Sequence, residues 1–308
     1  MDPRGWLSRR LESAYASLLE REIEGAPEHV AVIQDGNRRY ARARGDEATA
    51  GHAAGAQTTE QVLDWCAELG ISELTLYTLS TENFERPDDE LKHLFDLIER
   101  KLRDFADADR VHEEGVEIRI IGERDRLPER VRDAVAYAER RTANYEAFRL
   151  NVALAYGGRA ELLGVAREIA RDVEAGTLSP AAIDVETVAD RLEGGSTRAV
   201  DLIVRTGGDE RTSNFLPWQA DGNEAAVYFC TPYWPEFSKP DFLRAIRTYE
   251  AREASWRRTR ARRAVALLRA GVGTELTEAR RILARLRPSL PDGESVGVPD
   301  SESSAEAD

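Results

Sequence analysis

The chain has 308 residues, of which 42% are apolar, so it can form one large domain or two small ones, and it is not a disulfide-stapled miniprotein. Its formal net charge of −14 excludes a general nucleic-acid binder, so any anion site must be built locally. Cys66 and Cys230 lie far apart in apolar surroundings, and no apolar run approaches the roughly 18 residues that span a bilayer. These features predict a cytoplasmic protein.

Residues 1–28 carry an amphipathic pattern. Apolar side chains recur at a helical spacing at Leu7, Leu11, Ala14 and Leu18. The opposite face mixes Glu and Arg, so we expect this helix to pack on the body of the domain, with contact to a membrane surface as the alternative.

From His29 onward, short β-branched runs alternate with longer helical patterns, which is typical of an α/β fold with a mainly parallel sheet flanked by helices. Six strands are predicted at 30–34, 73–79, 116–121, 148–154, 201–205 and 225–229. Helices are predicted at 54–69, 88–109, 128–144, 158–174, 179–193 and 239–270. We expect a main domain at 29–270, a helical extension at 271–287 and a disordered acidic tail at 288–308, which has almost nothing to bury.

The first strand leads directly into a glycine turn and the start of a helix. Asp35 lies in the turn, and Arg38 and Arg39 lie at the helix start. Backbone N–H groups at a helix N-terminus, together with two arginines, suit a phosphate or diphosphate. A carboxylate beside such an anion needs a divalent cation between them, and Mg²⁺ is usually bound by one or two carboxylates plus phosphate oxygens. The alternative is that Asp35 only caps the helix.

Two further loops follow predicted strands. Residues 80–86 read Ser-Thr-Glu-Asn-Phe-Glu-Arg, which indicates a substrate-facing loop, although such residues also occur in ordinary turns. After the strand at 201–205, Arg205 is followed by two glycines and then by Arg211 and Ser213. Forked guanidinium groups and a hydroxyl suit a diphosphate, which offers many acceptor oxygens.

These three loops, in this order and spacing, resemble the cis-prenyltransferases, the family of undecaprenyl and dehydrodolichyl diphosphate synthases. The resemblance extends from His29 to about Tyr249. Further matching segments are GHAAG at 51–55, RIIG at 119–122, YGGR at 156–159 and WPEF at 234–237. No DDxxD motif begins at Asp88, which argues against the all-helical trans-type synthases.

The resemblance implies a homodimer whose six-stranded α/β fold encloses an apolar tunnel, with residues 29–270 as the catalytic domain. It implies repeated, Mg²⁺-dependent condensation of isopentenyl diphosphate onto an allylic diphosphate primer. The implied product is a long polyprenyl diphosphate of about C55–C60, the precursor of a glycosyl carrier lipid.

The resemblance also implies roles for individual residues. Asp35 is the implied catalytic aspartate that positions Mg²⁺, and Asn83 is the implied partner in removing the proton from isopentenyl diphosphate. The residues implied to bind the allylic substrate are Gly36, Asn37, Arg38, Arg39, Tyr40 and His52. Those implied to shape the cleft are Ser80, Thr81, Glu82, Phe84 and Arg86. Those implied to bind the diphosphate of isopentenyl diphosphate are Arg205, Arg211, Thr212 and Ser213.

Several positions depart from the family's pattern. Arg38 stands where bacterial members commonly have Gly, and Tyr40 and Phe84 replace tryptophans but stay aromatic. Ala48 replaces an Arg that helps to bind the primer, and we expect Arg38 or Arg44 to substitute for it.

The second metal ligand is another departure. Many members read Glu-Leu-Tyr-Phe in the last strand, whereas this chain reads Glu-Ala-Ala-Val-Tyr-Phe over 224–229. Without a gap, Ala226 takes the place of the glutamate. Because alternate residues of a strand share a face, Glu224 can reach the metal from one step earlier, and we assign it as a Mg²⁺ ligand together with Asp35.

Two alternatives to a synthase remain. A catalytically silent accessory subunit would be expected to lose the aspartate and the arginines of the first loop, but this chain retains Asp35, Arg39, Asn83, Arg205 and Arg211. Another phosphate-handling enzyme, such as a phosphatase, needs a nucleophile or general acid that is not found.

Composition bears on the substrate. Of the 43 basic residues 40 are arginines, and this acidic, lysine-poor balance is typical of a haloarchaeon. Archaea make abundant geranylgeranyl diphosphate, so this C20 primer is favoured over farnesyl diphosphate.

Phe148 and Leu150 are candidates for the floor of the tunnel, with ordinary core as the alternative, and Phe148→Ala is expected to lengthen the product. Peripheral membrane contact during product release stays open.

Overall fold

A computed structural model describes residues 14–192, 199–221 and 225–270. It confirms the α/β fold and all six predicted strands. They are β1 (His29–Ile33), β2 (Glu73–Ser80), β3 (Val116–Ile121), β4 (Phe148–Tyr156), β5 (Leu202–Arg205) and β6 (Ala226–Phe229). All neighbouring strands pair in parallel, in the order β3-β4-β2-β1-β5-β6.

Helices connect the strands. The first ones along the chain are α1 (14–22), α2 (Asn37–Arg44), α3 (Ala48–Glu68), α4 (Asp88–Ala106) and α5 (Asp109–Glu113). They are followed by α6 (Glu129–Thr142), α7 (Gly158–Glu174), α8 (Val185–Ala189), α9 (Pro217–Asp221) and α10 (Lys239–Ala270). Short 3-10 helices occupy Thr81–Glu85, Arg124–Arg126, Pro180–Ala182 and Trp234–Glu236.

Three helix predictions are corrected. The helix predicted from residue 54 begins at Ala48, and the one predicted at 88–109 is divided into α4 and α5. The long helix predicted at 179–193 is wrong, because only α8 and a 3-10 turn form there. Asp184 adopts an extended conformation, and its carboxylate accepts a hydrogen bond from the Thr187 N–H at 2.8 Å, which starts a new, short helix.

Helix α1 packs on the domain as expected, but through a different face. Ala16 and Leu19 are buried and cluster with Leu243, whereas Ala14 and Leu18 are exposed. The prediction of which face is buried was wrong. Both faces of this helix carry apolar residues, and packing against the rest of the domain decides which face is buried. Leu7 and Leu11 lie outside the described residues.

The two faces of the sheet are buried by different clusters. Val30, Val32 and Leu76 point to the side covered by α3, α4 and α6, while Ala31 and Ile203 point to the other side. This alternation follows from the two-residue repeat of a strand. All five residues of β1 are buried, as expected for a central parallel strand.

The strand order also sets the place for a ligand. From β1 the chain adds strands first on the β2 side and later on the β5 side. The carboxyl ends of β1, β2 and β5 therefore border a crevice where the winding reverses, which is the usual ligand position in open α/β sheets.

The chain divides into two compact units, Met1–Tyr249 and Glu250–Asp308. Of the second unit, the structure describes the helical residues 250–270. The predicted extension at 271–287 and tail at 288–308 lie outside the described residues. Among the residues that are described, no helix is both long and apolar enough to cross a bilayer.

Candidate active site

The first loop is fixed by its backbone. Gly36 precedes α2 with φ of 99°, a left-handed conformation, and a Cβ there would lie 2.6 Å from the Tyr233 ring. Asp35, the residue before Gly36, is held by Thr206, which directly follows β5. The Thr206 hydroxyl accepts from the Asp35 N–H at 3.1 Å and donates to the Asp35 carbonyl at 2.8 Å. These contacts fix the turn that leads into α2, and the backbone N–H groups of the first turn of this helix lie beside it.

Two arginines contact the Asp35 carboxylate. Arg205 donates to Oδ2 at 2.7 Å, and Nη2 of Arg39 lies 3.1 Å from Oδ1. Burial would raise the pKa of Asp35, but the hydrogen bond and charge of Arg205, followed by those of Arg39, lower it below its usual value. Asp35 is therefore ionised at neutral pH, with 29% of its side chain exposed.

Arg205 joins the first loop to the third. Its side chain is only 4% exposed, and its second amino group donates to the Ser213 hydroxyl at 2.6 Å and to the Arg211 carbonyl at 2.7 Å. Asp209 lies 3.3 Å from Arg205 and 3.1 Å from Arg211. This buried guanidinium therefore sets the conformation of the whole 205–213 segment.

The third loop turns sharply after Arg211. Ser213 and Asn214 both have positive φ, at 49° and 60°, which is uncommon for residues other than glycine. The Asn214 side chain stabilises the turn by accepting from the Arg159 N–H at 2.9 Å. Such strained conformations concentrate at functional sites, where surrounding contacts maintain them.

In the second loop, Asn83 is oriented by its own backbone segment. Its side-chain oxygen accepts from the Ser80 N–H at 3.0 Å, so the amide NH₂ group is the part that can donate to a ligand. An amide donor positions an anionic group; it does not act as a base.

A charged cluster lies beside this loop. Glu90, which is 12% exposed, contacts Arg86 at 3.1 Å, Arg38 at 3.4 Å and His52 at 3.8 Å. Burial, followed by the charge of Arg86, lowers the pKa of His52 to about 4 despite the opposing effect of Glu90. His52 is therefore neutral near pH 7, and Glu90 orients the two arginines.

These loops enclose a polar cleft of about 420 Å³. Two carboxylates line it, Asp35 and Glu82, together with six arginines: Arg38, Arg39, Arg42, Arg86, Arg205 and Arg211. In a protein of net charge −14, this local excess of cations creates an anion site. The cleft has the chemistry that binds phosphate groups.

An apolar tunnel of about 250 Å³ adjoins the cleft, lined by α3, α4 and the strands β2, β3 and β4. Most of its lining on α4 follows the helical repeat, at Leu94, Leu97, Ile98, Lys101, Leu102 and Phe105, and Asp104 also borders the space. Gln34, Asn37, His52 and Thr78 line both spaces and form the passage between them. The structure thus joins an anion site to a hydrocarbon site.

Most of the predicted site residues come together here. Thirteen of them line the cleft: Asp35, Gly36, Asn37, Arg38, Arg39, His52, Ser80, Glu82, Asn83, Arg86, Arg205, Arg211 and Ser213. Tyr40, Thr81, Phe84 and Thr212 lie outside this lining, and Phe84 packs against Phe95 in the core. Glu224 lies outside the described residues.

Sequence reasoning missed four contributors. Arg42 lines the cleft, and its spacing of four residues from Arg38 on α2 was a usable signal. Thr206, Asp209 and Glu90 act through other residues across the fold, and no local pattern marks them.

Comparison with known proteins agrees with this geometry. The family model described as "Putative undecaprenyl diphosphate synthase" matches residues 33–257. The chain belongs to the cis-prenyltransferase family. Two relatives carry the name tritrans,polycis-undecaprenyl-diphosphate synthase (geranylgeranyl-diphosphate specific). The one from Halobacterium salinarum is 66% identical over 91% of this chain and 92% of the relative. The one from Haloarcula marismortui is 64% identical over 92% and 93%.

A solved cis-prenyltransferase shares the fold. The crystal structure of lavandulyl diphosphate synthase from Lavandula x intermedia, in complex with dimethylallyl diphosphate, superposes with a TM-score of 0.69. It is 34% identical and covers 73% of this chain and 95% of its own. An allylic diphosphate is thus a ligand of that relative.

Proposed function

We propose that this cis-prenyltransferase condenses isopentenyl diphosphate repeatedly onto an allylic diphosphate primer, with geranylgeranyl diphosphate favoured and farnesyl diphosphate as the other candidate. The observation that carries the proposal is the direct passage from an arginine-lined cleft into an apolar tunnel. A polyprenyl diphosphate has these two chemistries in one molecule. The names of the haloarchaeal relatives support the C20 primer and a product near C55.

The arginines of the cleft suit the bond changes of this reaction. The allylic C–O bond breaks, a C–C bond forms to the alkene of isopentenyl diphosphate, and a proton is lost to restore a double bond. Negative charge builds on the departing diphosphate, and preorganised guanidinium groups stabilise it. All five of the following arginines line the cleft: Arg38, Arg39, Arg86, Arg205 and Arg211. We assign the first three, on α2 and the second loop, to the diphosphate of the primer, and the last two to the diphosphate of isopentenyl diphosphate.

The donor set of the cleft fits Mg²⁺. Asp35 is ionised and borders the cleft, and Mg²⁺ is commonly bound by one carboxylate plus substrate phosphate oxygens. No group of three His, Cys, Asp or Glu side chains in the described ranges could bind a metal by itself, which agrees with a cation shared with the substrate. Bound Mg²⁺ would neutralise charge on the leaving diphosphate. Glu224 stays our proposal for a second ligand.

Asn83 is proposed to orient the proton acceptor and not to accept the proton. Its amide donor can bind a diphosphate oxygen of isopentenyl diphosphate, because its own oxygen already accepts from Ser80. The proton then passes to a diphosphate oxygen or to Asp35.

We further propose a homodimer in the cytoplasm that contacts the membrane peripherally when the product leaves. β6 is an edge strand on which Val227 is 37% exposed, so this side of the sheet is suited to a second copy. Sedimentation of the purified protein tests the dimer.

The test of function is incorporation of labelled isopentenyl diphosphate with Mg²⁺, at high and low salt, with C10, C15 and C20 primers offered separately. We expect long products, preferentially from the C20 primer, and their loss in Asp35→Ala. Asp172→Ala is the matched control, because Asp172 pairs with Arg191 at 2.8 Å outside the cleft. Absence of incorporation by a folded wild-type protein would refute the synthase and favour an accessory subunit.

A further inference from the structure

The second loop has two sides with different surroundings. It forms the 3-10 helix Thr81–Glu85, and in such a helix side chains three residues apart lie on the same side. The residues that line the cleft include one set with this spacing: Ser80, Asn83 and Arg86. Thr81 and Phe84, which are also three residues apart, lie outside the cleft lining. This second side is therefore the one that can fix the loop to the rest of the domain.

Phe84 contacts both a buried ring and a surface arginine. Its ring centre lies 6.0 Å from that of Phe95 on α4, and Phe95 is buried. The guanidinium carbon of Arg126 lies over the Phe84 ring, 4.4 Å from its centre, with 38% of the Arg126 side chain exposed. A guanidinium stacks favourably on an aromatic face. Phe84 is thus held by core packing and by a cation from the surface.

Arg126 lies in a segment that is anchored to the sheet. The 3-10 helix Arg124–Arg126 follows β3, and the Glu123 N–H just before it donates to the Ala155 carbonyl of β4 at 3.2 Å. Gly122 has φ of 119°, and a Cβ there would lie 2.0 Å from the Leu154 carbonyl oxygen, so only glycine allows this close approach to β4. The position from which Arg126 reaches Phe84 is therefore fixed by the backbone.

The contacts on the cleft side of the loop come from the chain nearby. The Asn83 side chain accepts from the Ser80 N–H, and Arg86 contacts Glu90 one helical turn later. These bonds shape the loop and its junction with α4. The stack of Arg126 on Phe84 is different, because it joins the loop to the segment that follows β3.

We propose that Arg126 is a positioning residue for the second loop: by stacking on Phe84 it keeps Asn83 and Arg86 directed at the cleft. Arg126 does not line the cleft, so it acts through Phe84 and not through contact with substrate. This inference rests on the proposed function, in which Asn83 orients the proton acceptor. It gives Phe84, which the resemblance implied to shape the cleft, a role exerted from outside the cleft.

Loss of the stack is expected to affect turnover more than substrate binding. Arg205 and Arg211 belong to the third loop, which Asp209 and Ser213 hold, so they keep their positions for the diphosphate of isopentenyl diphosphate. Asn83 loses its support. Arg126→Met is therefore expected to lower kcat by about 10-fold while KM for isopentenyl diphosphate stays within about threefold.

Two further variants separate the stack from the charge. Arg126→Lys keeps a cation near Glu123 but lacks the planar group that stacks on a ring, so it is expected to give an intermediate kcat. Phe84→Leu keeps apolar contact with Phe95 but removes the aromatic face. In the Phe84→Leu background, Arg126→Met is expected to lower kcat by less than about twofold, since the interaction is already lost.

Arg124 supplies the matched control. It lies in the same 3-10 helix, but its guanidinium donates to the Glu139 carboxylate of α6 and to the Ile120 carbonyl of β3, each at 2.7 Å. Arg124→Met removes the same charge from the same turn. It is expected to leave kcat and the second loop unchanged even where it lowers thermal stability.

The experiment combines steady-state incorporation of labelled isopentenyl diphosphate with hydrogen–deuterium exchange of the backbone amides of residues 81–86. Exchange is measured without substrate, and thermal unfolding checks folding. Faster exchange and lower kcat in Arg126→Met, with neither change in Arg124→Met, support the proposal.

Two results would overturn the proposal and leave the synthase intact. One is wild-type exchange and kcat in a folded Arg126→Met protein. The other is an equal loss of kcat from Arg126→Met in the Phe84→Leu background. A folded wild-type protein that incorporates nothing overturns the proposed function and the role in turnover with it, whereas its exchange data still decide whether Arg126 holds the loop.

Discussion

Replacing Arg205 by methionine tests the centre of the proposed site. The guanidinium is 4% exposed and donates to the Asp35 carboxylate, the Ser213 hydroxyl and the Arg211 carbonyl within 2.7 Å. Methionine keeps much of the apolar stem but donates no hydrogen bond. The substitution therefore removes the link between the first and third loops while leaving the buried volume similar.

The structure sets the size of the effect. Breaking a buried ion pair costs about 3–5 kcal/mol of stability when the partner is left uncompensated. Asp35 keeps Arg39 and is 29% exposed, so a loss of about 2–3 kcal/mol is expected. Because Arg205 positions the Asp35 carboxylate and the Arg211 segment, its loss is expected to misplace both groups and to lower turnover by about 100-fold.

The substitution also changes the pH dependence. In the native protein the pKa of Asp35 is depressed by Arg205 and Arg39, so its stabilisation is present above the ordinary value of 3.8 and is lost as the pH falls through the lower folded value. Without Arg205, burial raises the pKa of Asp35. We therefore expect the acidic limb of the activity profile to move to higher pH.

The assay is steady-state incorporation of labelled isopentenyl diphosphate between about pH 4 and 9, a range that spans the ordinary carboxyl and imidazole pKa values, with denaturant unfolding in parallel. Arg191→Met is the control, since it removes an arginine paired with Asp172 outside the cleft. Turnover within tenfold of wild type, or an acidic limb that does not move, would refute the reasoning.

Three further predictions follow from the same site. Thr206→Val removes both hydrogen bonds to the Asp35 backbone, and we expect it to lower the free energy of unfolding by about 1–3 kcal/mol and to lower turnover. Thr206→Ser is expected to retain both hydrogen bonds. Equal stability of the two variants in denaturant unfolding would contradict this prediction. His52, with a pKa lowered to about 4, is expected to show no NMR titration between about pH 5.5 and 8, and a midpoint near the ordinary 6.5 would disprove its burial. Chelation of divalent cations is expected to abolish incorporation and added Mg²⁺ to restore it; activity that survives chelation would exclude the proposed metal site.

Short-range patterns were sufficient for much of this protein. The six strands were predictable because buried parallel strands are continuous runs of β-branched and apolar residues. Asp35, Arg39, Arg205 and Arg211 were predictable because they lie at or shortly after the carboxyl end of β1 or β5. The carboxyl ends of parallel strands meet at one edge of the sheet. The failure at 179–193 shows the limit, since helical periodicity did not reveal that Asp184 begins a separate short helix.

The sequence by itself determined the α/β fold, the three ligand-facing loops and the local excess of arginine in an acidic protein. Only the tertiary structure decided which charged side chains form contacts. Arg205 donates a hydrogen bond to Asp35, 170 residues away in the sequence. Glu90 contacts Arg38, Arg86 and His52. It also decided that Leu150 lines the tunnel, whereas Phe148 lines a separate cavity. The reason is that residue spacing fixes which face of an element a side chain occupies, whereas a cavity's boundary depends on several elements packed together.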